Sequence, residues 1–355
     1  MPQLRKDPVT SEWVVIATER SRRPMDFKSG EDMQDRPVFS PSCPFCPGNE
    51  QMTPPEVLSY RSPDSSPNAP GWWVRVVPNK FPALGIEGDL DRTGFGIYDM
   101  MNGIGAHEVI IEGTEHNRSI ADIPHEEVQE VLWAYRDRHL DLMQDQRFKY
   151  ILLFRNHGKV AGASLEHPHS QLIALPMVPQ DVVLQLEGAR RYHDYHDRCI
   201  YCDMIKQEVA FGQRVVSMND DFIAFCPFAA KYPFETWILP RRHSISLAYE
   251  DRITINSFGA ILQDSLGRIG ACLNNPPYNF TLHTAPINQD KDRDFHWHLS
   301  IMPRLTIAAG FEMGTGIYIN VTAPEEAANH LRSVGTPEIE ANGAHANEEA
   351  VAAAH

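Results

Sequence analysis

The sequence predicts an α+β fold in which one unit, an antiparallel sheet with flanking helices, occurs twice. Three observations carry this. Two His-x-His pairs, His167-Pro168-His169 and His296-Trp297-His298, each stand at the head of an apolar run. Two Cys-x-x-Cys pairs, Cys43/Cys46 and Cys199/Cys202, precede them. The spacing of a middle histidine to the pair nearly repeats: 51 positions from His116 to His167 and 53 from His243 to His296. The interval from Cys46 to His116 is 70 and that from Cys202 to His243 is 41, and the excess falls in a loop-like stretch. Agreement of this kind marks duplication of one unit.

The elements follow in order. Trp13–Ala17 reads as a short strand, Ser62–Pro70 as a Pro/Ser/Asp-rich loop, and Trp72–Val77 as a strand ending at Pro78. His107–Glu112 is a further strand. Asp122-Ile123-Pro124 is a helix cap with an early proline, and Val128, Leu132, Tyr135 and Leu142 recur at helical spacing behind it. Tyr150–Phe154 is a buried strand, Asn156–Glu166 a loop of small residues, and HPHSQLIAL the next strand. The second half repeats the order: strands at Phe222–Phe225 and Phe234–Leu239, a helix opened by Asp251, and strands at Tyr278–His283 and His296–Met302. Units of 1–185 and 186–333 are expected. The tail, 334–355, lacks a periodic apolar face and reads as disordered.

With 355 residues and 42% hydrophobic content the chain can bury a substantial core. Its 47 acidic against 32 basic residues give a formal charge of -15, which argues against a nucleic-acid or anionic-membrane surface. A phosphorylated substrate then needs a local cluster of donors. The N-terminal MPQLRKDPVT has no apolar core of a signal peptide, so a cytoplasmic protein is expected. In that compartment a Cys-x-x-Cys pair reads as a metal or redox site. Cys226 and Cys272, set among apolar residues, read as buried small hydrophobes.

Zinc takes four tetrahedral ligands, and two thiolates with two imidazoles leave no open position. Cys43, Cys46, His116 and His167 form one such set, and Cys199, Cys202, His243 and His296 a second. Two structural zinc ions per chain are expected; a redox dithiol is the other reading of each cysteine pair. Residues i and i+2 of a strand share a face, so one strand is expected to hold His167 for the metal and His169 for a substrate. The loop before them, with Asn156, Gly158, Gly162 and Ser164, brings backbone N–H groups toward phosphate oxygens. A neutral imidazole attacks phosphorus without prior deprotonation. His169 is therefore the candidate nucleophile, and Gln171, on the same face, a donor to the transferring phosphoryl group.

These motifs resemble the galactose-1-phosphate uridylyltransferase family of the histidine-triad superfamily. The resemblance spans about residues 3–333 and rests on RKDPVTSEWVVIATERSRRP (5–24), CPFC, VPNKFPAL (77–84), GTEH, NHGKVAGASLEHPHSQ (156–171), PFETWILPRRH (233–243) and GFEMGTGIYIN (310–320). It implies two histidine-triad-like units and a double displacement. The histidine at position 169 takes UMP from UDP-glucose, releases glucose 1-phosphate and passes the UMP to galactose 1-phosphate. It implies phosphate contacts for Arg20, Arg23, Asn156 and Ser164, a nucleotide contact for Asn79, and hexose recognition near Phe311 and Glu312. It also implies a homodimer with the site near the subunit interface.

Three departures bear on the substrate. Ser170 stands where the better-known bacterial motif has glycine, and HPHSQ also occurs in an ADP-glucose phosphorylase-like branch that passes AMP to inorganic phosphate. Thr306 and Tyr318 stand where a lysine and a glutamine of the hexose segment are expected. The second cysteine pair favours a thiolate site over one built from His283, His296 and His298. Uridylyl transfer leads, adenylyl transfer to phosphate is the alternative, and a nucleotide hydrolase or a non-catalytic zinc module stand behind them.

Overall fold

The computed structural model describes residues 1–17, 19, 23–27, 36–287 and 294–335. The first half supplies β1 (Gln3–Lys6), β2 (Trp13–Ile16), β3 (Leu58–Arg61), β4 (Trp72–Pro78), β5 (Thr93–Phe95), β6 (Tyr98–Met100), β7 (Ala106–Ile111), α1 (His125–Leu142), β8 (Tyr150–His157) and β9 (His169–Leu175). After α2 (Gln180–His196) and α3 (Ile200–Phe211) come β10 (Val215–Met218), β11 (Phe222–Phe225), β12 (Thr236–Pro240), α4 (Arg252–Leu273), β13 (Tyr278–His283) and β14 (His298–Pro303). The chain continues through α5 (Gly310–Thr315), β15 (Tyr318–Asn320) and α6 (Pro324–Ser333).

Ten of the strands form one sheet in the order β3-β4-β7-β9-β8-β13-β14-β12-β11-β10, antiparallel throughout. The order is a palindrome. Reading outward from the β8–β13 junction, β9, β7, β4 and β3 match β14, β12, β11 and β10. The two copies thus share one sheet, and their helices α1 and α4 pack on each other across the same face. Alternation explains that face. Leu172 and Ala174 of β9 and Leu299 and Ile301 of β14 enter a core with Val128, Leu132 and Tyr135 of α1 and Phe258 and Leu262 of α4. The four spaced residues expected to anchor the first helix, Val128, Leu132, Tyr135 and Leu142, are all buried.

The opposite face carries two smaller clusters. Cys43, Phe45 and Cys46 pack with Val109 and Ile111 in the first half, and Tyr201 and Ile205 with Ile223, Phe225 and Leu239 in the second. A separate three-stranded sheet, β1-β2-β15, ties the N-terminal segment to the end of the chain. No helix among the described residues is long and apolar enough to cross a membrane.

Several expectations need correction. Both His-x-His strands begin at their second histidine, so His167 and His296 precede β9 and β14 instead of sharing a strand face with His169 and His298. Their side chains are turned toward the cysteines by the loop before the strand. Asn156 lies within β8, which runs on to His157, and does not open a loop. Asp122 is not the cap of α1, which starts after Pro124; its carboxylate accepts from Ser119 in the preceding turn. Asp251 does cap α4, accepting from Thr254 N at 2.8 Å. The helices α2 and α3 have no counterpart among the segments expected from the sequence. The tail from residue 336 falls outside the described residues.

Candidate functional site

The fold brings each cysteine pair to its two histidines. Nδ1 of His116 and of His167 lie 3.5 and 3.6 Å from Cys46 Sγ. In the second half Nδ1 of His243 and of His296 lie 3.5 and 3.6 Å from Cys202 Sγ, and His296 Nδ1 is 4.0 Å from Cys199 Sγ. Within each set all four ligand atoms lie within 4.8 Å of one another. A tetrahedral zinc with its usual bonds separates sulfur and nitrogen ligands by about 3.5 Å, so both sets fit that ion. The far nitrogens are held as metal-bound imidazoles require: His167 Nε2 donates to Gly113 O at 2.9 Å, and His296 Nε2 to Pro240 O at 2.8 Å. Burial pushes the Cys43 thiol up to about 11, so a thiolate there needs a cation beside it. His296 sits with the cysteines and not with His283, which instead bonds Ser300.

His169 opens β9 and is buried. Its Nδ1 donates to the carbonyl of His167 at 2.8 Å, which fixes the tautomer and leaves Nε2 with its lone pair. Desolvation holds the imidazole below its usual range despite that bond, so the ring is neutral near pH 7. Phe45, from the cysteine turn, packs its ring 5.2 Å from that of His169. The metal-ligand loop therefore buttresses the candidate nucleophile.

A recess beside His169 is lined by Asn156, Gly158, Lys159, Ser164 and Arg36. Asn156 Oδ1 accepts from Asn279 Nδ2 at 2.8 Å, which leaves its amide NH2 to donate. Gly158 has φ +81°, a conformation natural to glycine, and a Cβ there would meet Pro277 at 2.9 Å. On the other side, Gln171 is held by a β7 residue that its sequence context marks only as part of a strand. Ala83 N donates to His107 Nδ1 at 3.2 Å, so His107 Nε2 carries the proton and donates to Gln171 Oε1 at 2.9 Å. The Gln171 NH2 is then free to donate to a ligand. Asn79 lies 3.2 Å from the same His107 Nε2. The signal for His107 was present as strand alternation: β7 pairs with β9 so that His107, Val109 and Ile111 stand opposite Ile173, Gln171 and His169.

Ser170 points to the opposite face. It is fully buried and donates to Glu112, which also accepts from the Tyr135 hydroxyl at 2.9 Å and pairs with Arg155 at 3.0 Å. Arg155 in turn bonds the hydroxyl of Tyr278, whose ring stacks on His157. This network sits behind His169 and was not read from the sequence.

Three of the expected substrate residues are not brought to the recess in this chain. Arg23 is exposed, and Phe311 and Glu312 lie on the short exposed helix α5, where Glu312 accepts from Ala309 N at 2.9 Å. Arg20 lies outside the described residues.

Residues 1–179 match the family described as galactose-1-phosphate uridyl transferase, N-terminal domain, and residues 105–335 match a domain of unknown function, DUF4921. The chain is 39% identical to ADP-glucose phosphorylase of Arabidopsis thaliana, covering 94% of this chain and 93% of that protein. It is 28% identical to galactose-1-phosphate uridylyltransferase of Thermotoga maritima, covering 94% and 98%. The crystal structure of the Arabidopsis ADP-glucose phosphorylase with bound ADP-glucose superposes with a TM-score of 0.80 at 37% identity, covering 95% of this chain and all of that one. A uridylyltransferase structure superposes at 0.72 with 28% identity, covering 94% and 97%.

Proposed function

Because the chain belongs to the galactose-1-phosphate uridylyltransferase family, we propose that it is a nucleotidyltransferase that carries a nucleoside monophosphate on His169. One observation carries the reading. A buried neutral imidazole has its Nδ1 tied to a backbone carbonyl and its partner amide, Gln171, oriented by His107. In the first step the Nε2 lone pair attacks the α-phosphorus of a nucleotide sugar. The N–P bond forms as the P–O bond to the leaving sugar phosphate breaks. The Gln171 NH2 donates to a phosphoryl oxygen as charge moves onto it. Asn156, Ser164, Lys159 and the glycine-containing turn at 158 supply further donors to the phosphates. In the second step an acceptor phosphate oxygen attacks the same phosphorus and Nε2 leaves.

Cys43, Cys46, His116 and His167, and likewise Cys199, Cys202, His243 and His296, would hold zinc as a scaffold. With four protein ligands it has no open position for substrate. Held there, it would fix the turn that carries Phe45 and would fix His167, two residues before His169.

For the donor we favour ADP-glucose, with inorganic phosphate as acceptor and ADP and glucose 1-phosphate as products. The support is the 39% identity to a protein of that name over nearly the full chain, against 28% for the uridylyltransferase. Thr306 and Tyr318, in place of the hexose-recognising lysine and glutamine, agree with a small acceptor. Uridylyl transfer from UDP-glucose to galactose 1-phosphate is the second reading, favoured by the retained Phe311-Glu312 pair. The exposure of that pair on α5 suits a contribution to the site of a second copy of the chain.

The test uses ADP-glucose and UDP-glucose, each labelled in the nucleotide, with the protein isolated under denaturing but not acidic conditions. Label from ADP-glucose, absent in His169→Ala, is the expected result. Label from UDP-glucose alone would overturn the adenine assignment, and label persisting in His169→Ala would overturn the nucleophile.

A further inference from the structure

The second half keeps the architecture of the His169 site around a cavity of its own. In each half a Cys-x-aromatic-Cys segment, a loop turn in the first and the start of α3 in the second, lays its aromatic ring near the second histidine of the pair. Phe45 lies 5.2 Å from His169, and Tyr201 lies 5.3 Å from His298. Each of these histidines bonds through Nδ1 to the carbonyl two residues before it, at 2.8 Å for His169 and 3.1 Å for His298. The ladders match as well: Gln171 pairs with Val109 and Ser300 with Trp237. Ser300 therefore stands in the place of Gln171, and Trp237 in that of Val109. Between these strands and α2 lies a cavity of about 380 Å³, bordered by Tyr201, Trp237, His283, His298, Ser300 and Gln185. That volume falls within the range of about 300–1,000 Å³ usual for small-molecule sites.

We propose that this cavity is a second binding site, for an uncharged nucleoside. The inference rests on the reading that the matching first-half site takes a nucleotide. The parts that serve phosphate chemistry have been replaced. Ser300 has no amide, and its Oγ is bonded to His283 Nε2 at 2.8 Å. His298 lies between the rings of His283, at 4.5 Å, and Trp237, at 5.0 Å, both in stacked geometry, so both of its faces are covered. Among the described residues Lys231 is the one lysine or arginine in the lining, and its Nζ is paired with Glu12 at 2.9 Å. Asp7, Asp181 and Glu235 add negative charge to the same walls. A phosphate would meet walls in which carboxylates outnumber cations, whereas a neutral base and ribose would meet no such repulsion. The aromatic walls suit a flat ring. In the α2 wall, Gln185 Oε1 is buried with no hydrogen-bond partner among the described residues, an acceptor that an amine or ring N–H of a base would satisfy.

Adenosine, uridine and AMP are titrated calorimetrically into the full chain with its metal, alone and in the presence of saturating ADP-glucose. At least one nucleoside is expected to bind at about one per chain whether or not the nucleotide sugar is present, and AMP about tenfold or more weakly. Ser300→Trp, which fills the cavity, abolishes the binding. Gln185→Leu, which keeps the packing and removes the acceptor, weakens it about tenfold. Nucleotide labelling of His169 persists in both variants. Failure of both nucleosides to bind would overturn the proposal, as would displacement by ADP-glucose, equal affinity for AMP, or unchanged affinity in Gln185→Leu. If no label reaches His169 while nucleoside binding shows the stated response to both variants, the cavity assignment stands and the transferase reading alone fails.

Discussion

The hydroxyl of Ser170 shows what a single residue does in this protein. From the sequence it marked one branch of the family over another. In the structure it faces α1, on the side of β9 away from His169, and is consumed by Glu112 and Tyr135. It does not face the recess beside His169. Ser170→Ala should lower stability by about 1–2 kcal/mol, because Glu112 keeps Tyr135 and Arg155. It should leave the ratio of kcat/KM for ADP-glucose and UDP-glucose unchanged; a shifted ratio would return Ser170 to the recognition machinery. His139, buried in α1, makes a second prediction. Desolvation pushes it down to about 4, whereas in the unfolded chain a histidine titrates near about 6.5. Between these values the unfolded state binds the proton and the folded state does not. Stability therefore falls as pH drops through that window and levels off below it. In His139→Gln the loss of unfolding free energy between about pH 7.5 and pH 4.5, read from urea midpoints, should be smaller than in the parent chain.

At the scale of elements, the residue-by-residue periodicity located α1, α4, β7, β8, β13 and the strand after HPHSQ, because each buries one regular face. It did not locate α2 and α3. These helices cover the second half of the sheet on the face where β14 carries His298, and only part of each is buried. Their position depends on a close approach: a Cβ on Gly188 would lie 1.9 Å from the carbonyl oxygen of Val9. Gly188→Ala should force α2 away from the N-terminal segment and cost about 1–3 kcal/mol, measurable by thermal unfolding. Metal content belongs at this scale too, since each set joins a cysteine pair, a middle histidine and a histidine two residues before a strand. About two zinc ions per chain are expected by elemental analysis. Cys199→Ser should remove one; an unchanged content would refute the second set.

At the scale of the whole molecule, the two copies are joined by the β8–β13 pairing and by α1 against α4, so they share one core and one sheet. Unfolding should therefore be a single cooperative transition. Cys46→Ser and Cys202→Ser, one in each copy, should both lower that same transition. Two resolved transitions would show that the copies unfold independently. The palindromic strand order also puts the two His-x-His pairs in matched positions, and from there the two halves differ. The first half keeps an oriented glutamine and a recess lined with phosphate donors, and the second closes both faces of its histidine with rings.

The sequence by itself determined the duplication, the two candidate ligand sets, His169 and Gln171 as candidates for the chemistry, and the helix and strand segments with strong periodicity. These depend on residue type and short spacing, which the chain states directly. Only the tertiary structure decided what depends on contacts between distant segments. It turned His167 out of the strand and toward Cys46, and set His107 against Gln171. It aimed Ser170 at Glu112, and left Arg23, Phe311 and Glu312 away from the recess. Strand pairing and loop direction fix each of these, and neither is written in the spacing of one segment alone. The same distinction separates the two halves: the sequence shows two histidine pairs, and the packing around them shows that, among the described residues, the first stands beside an oriented amide and a polar recess.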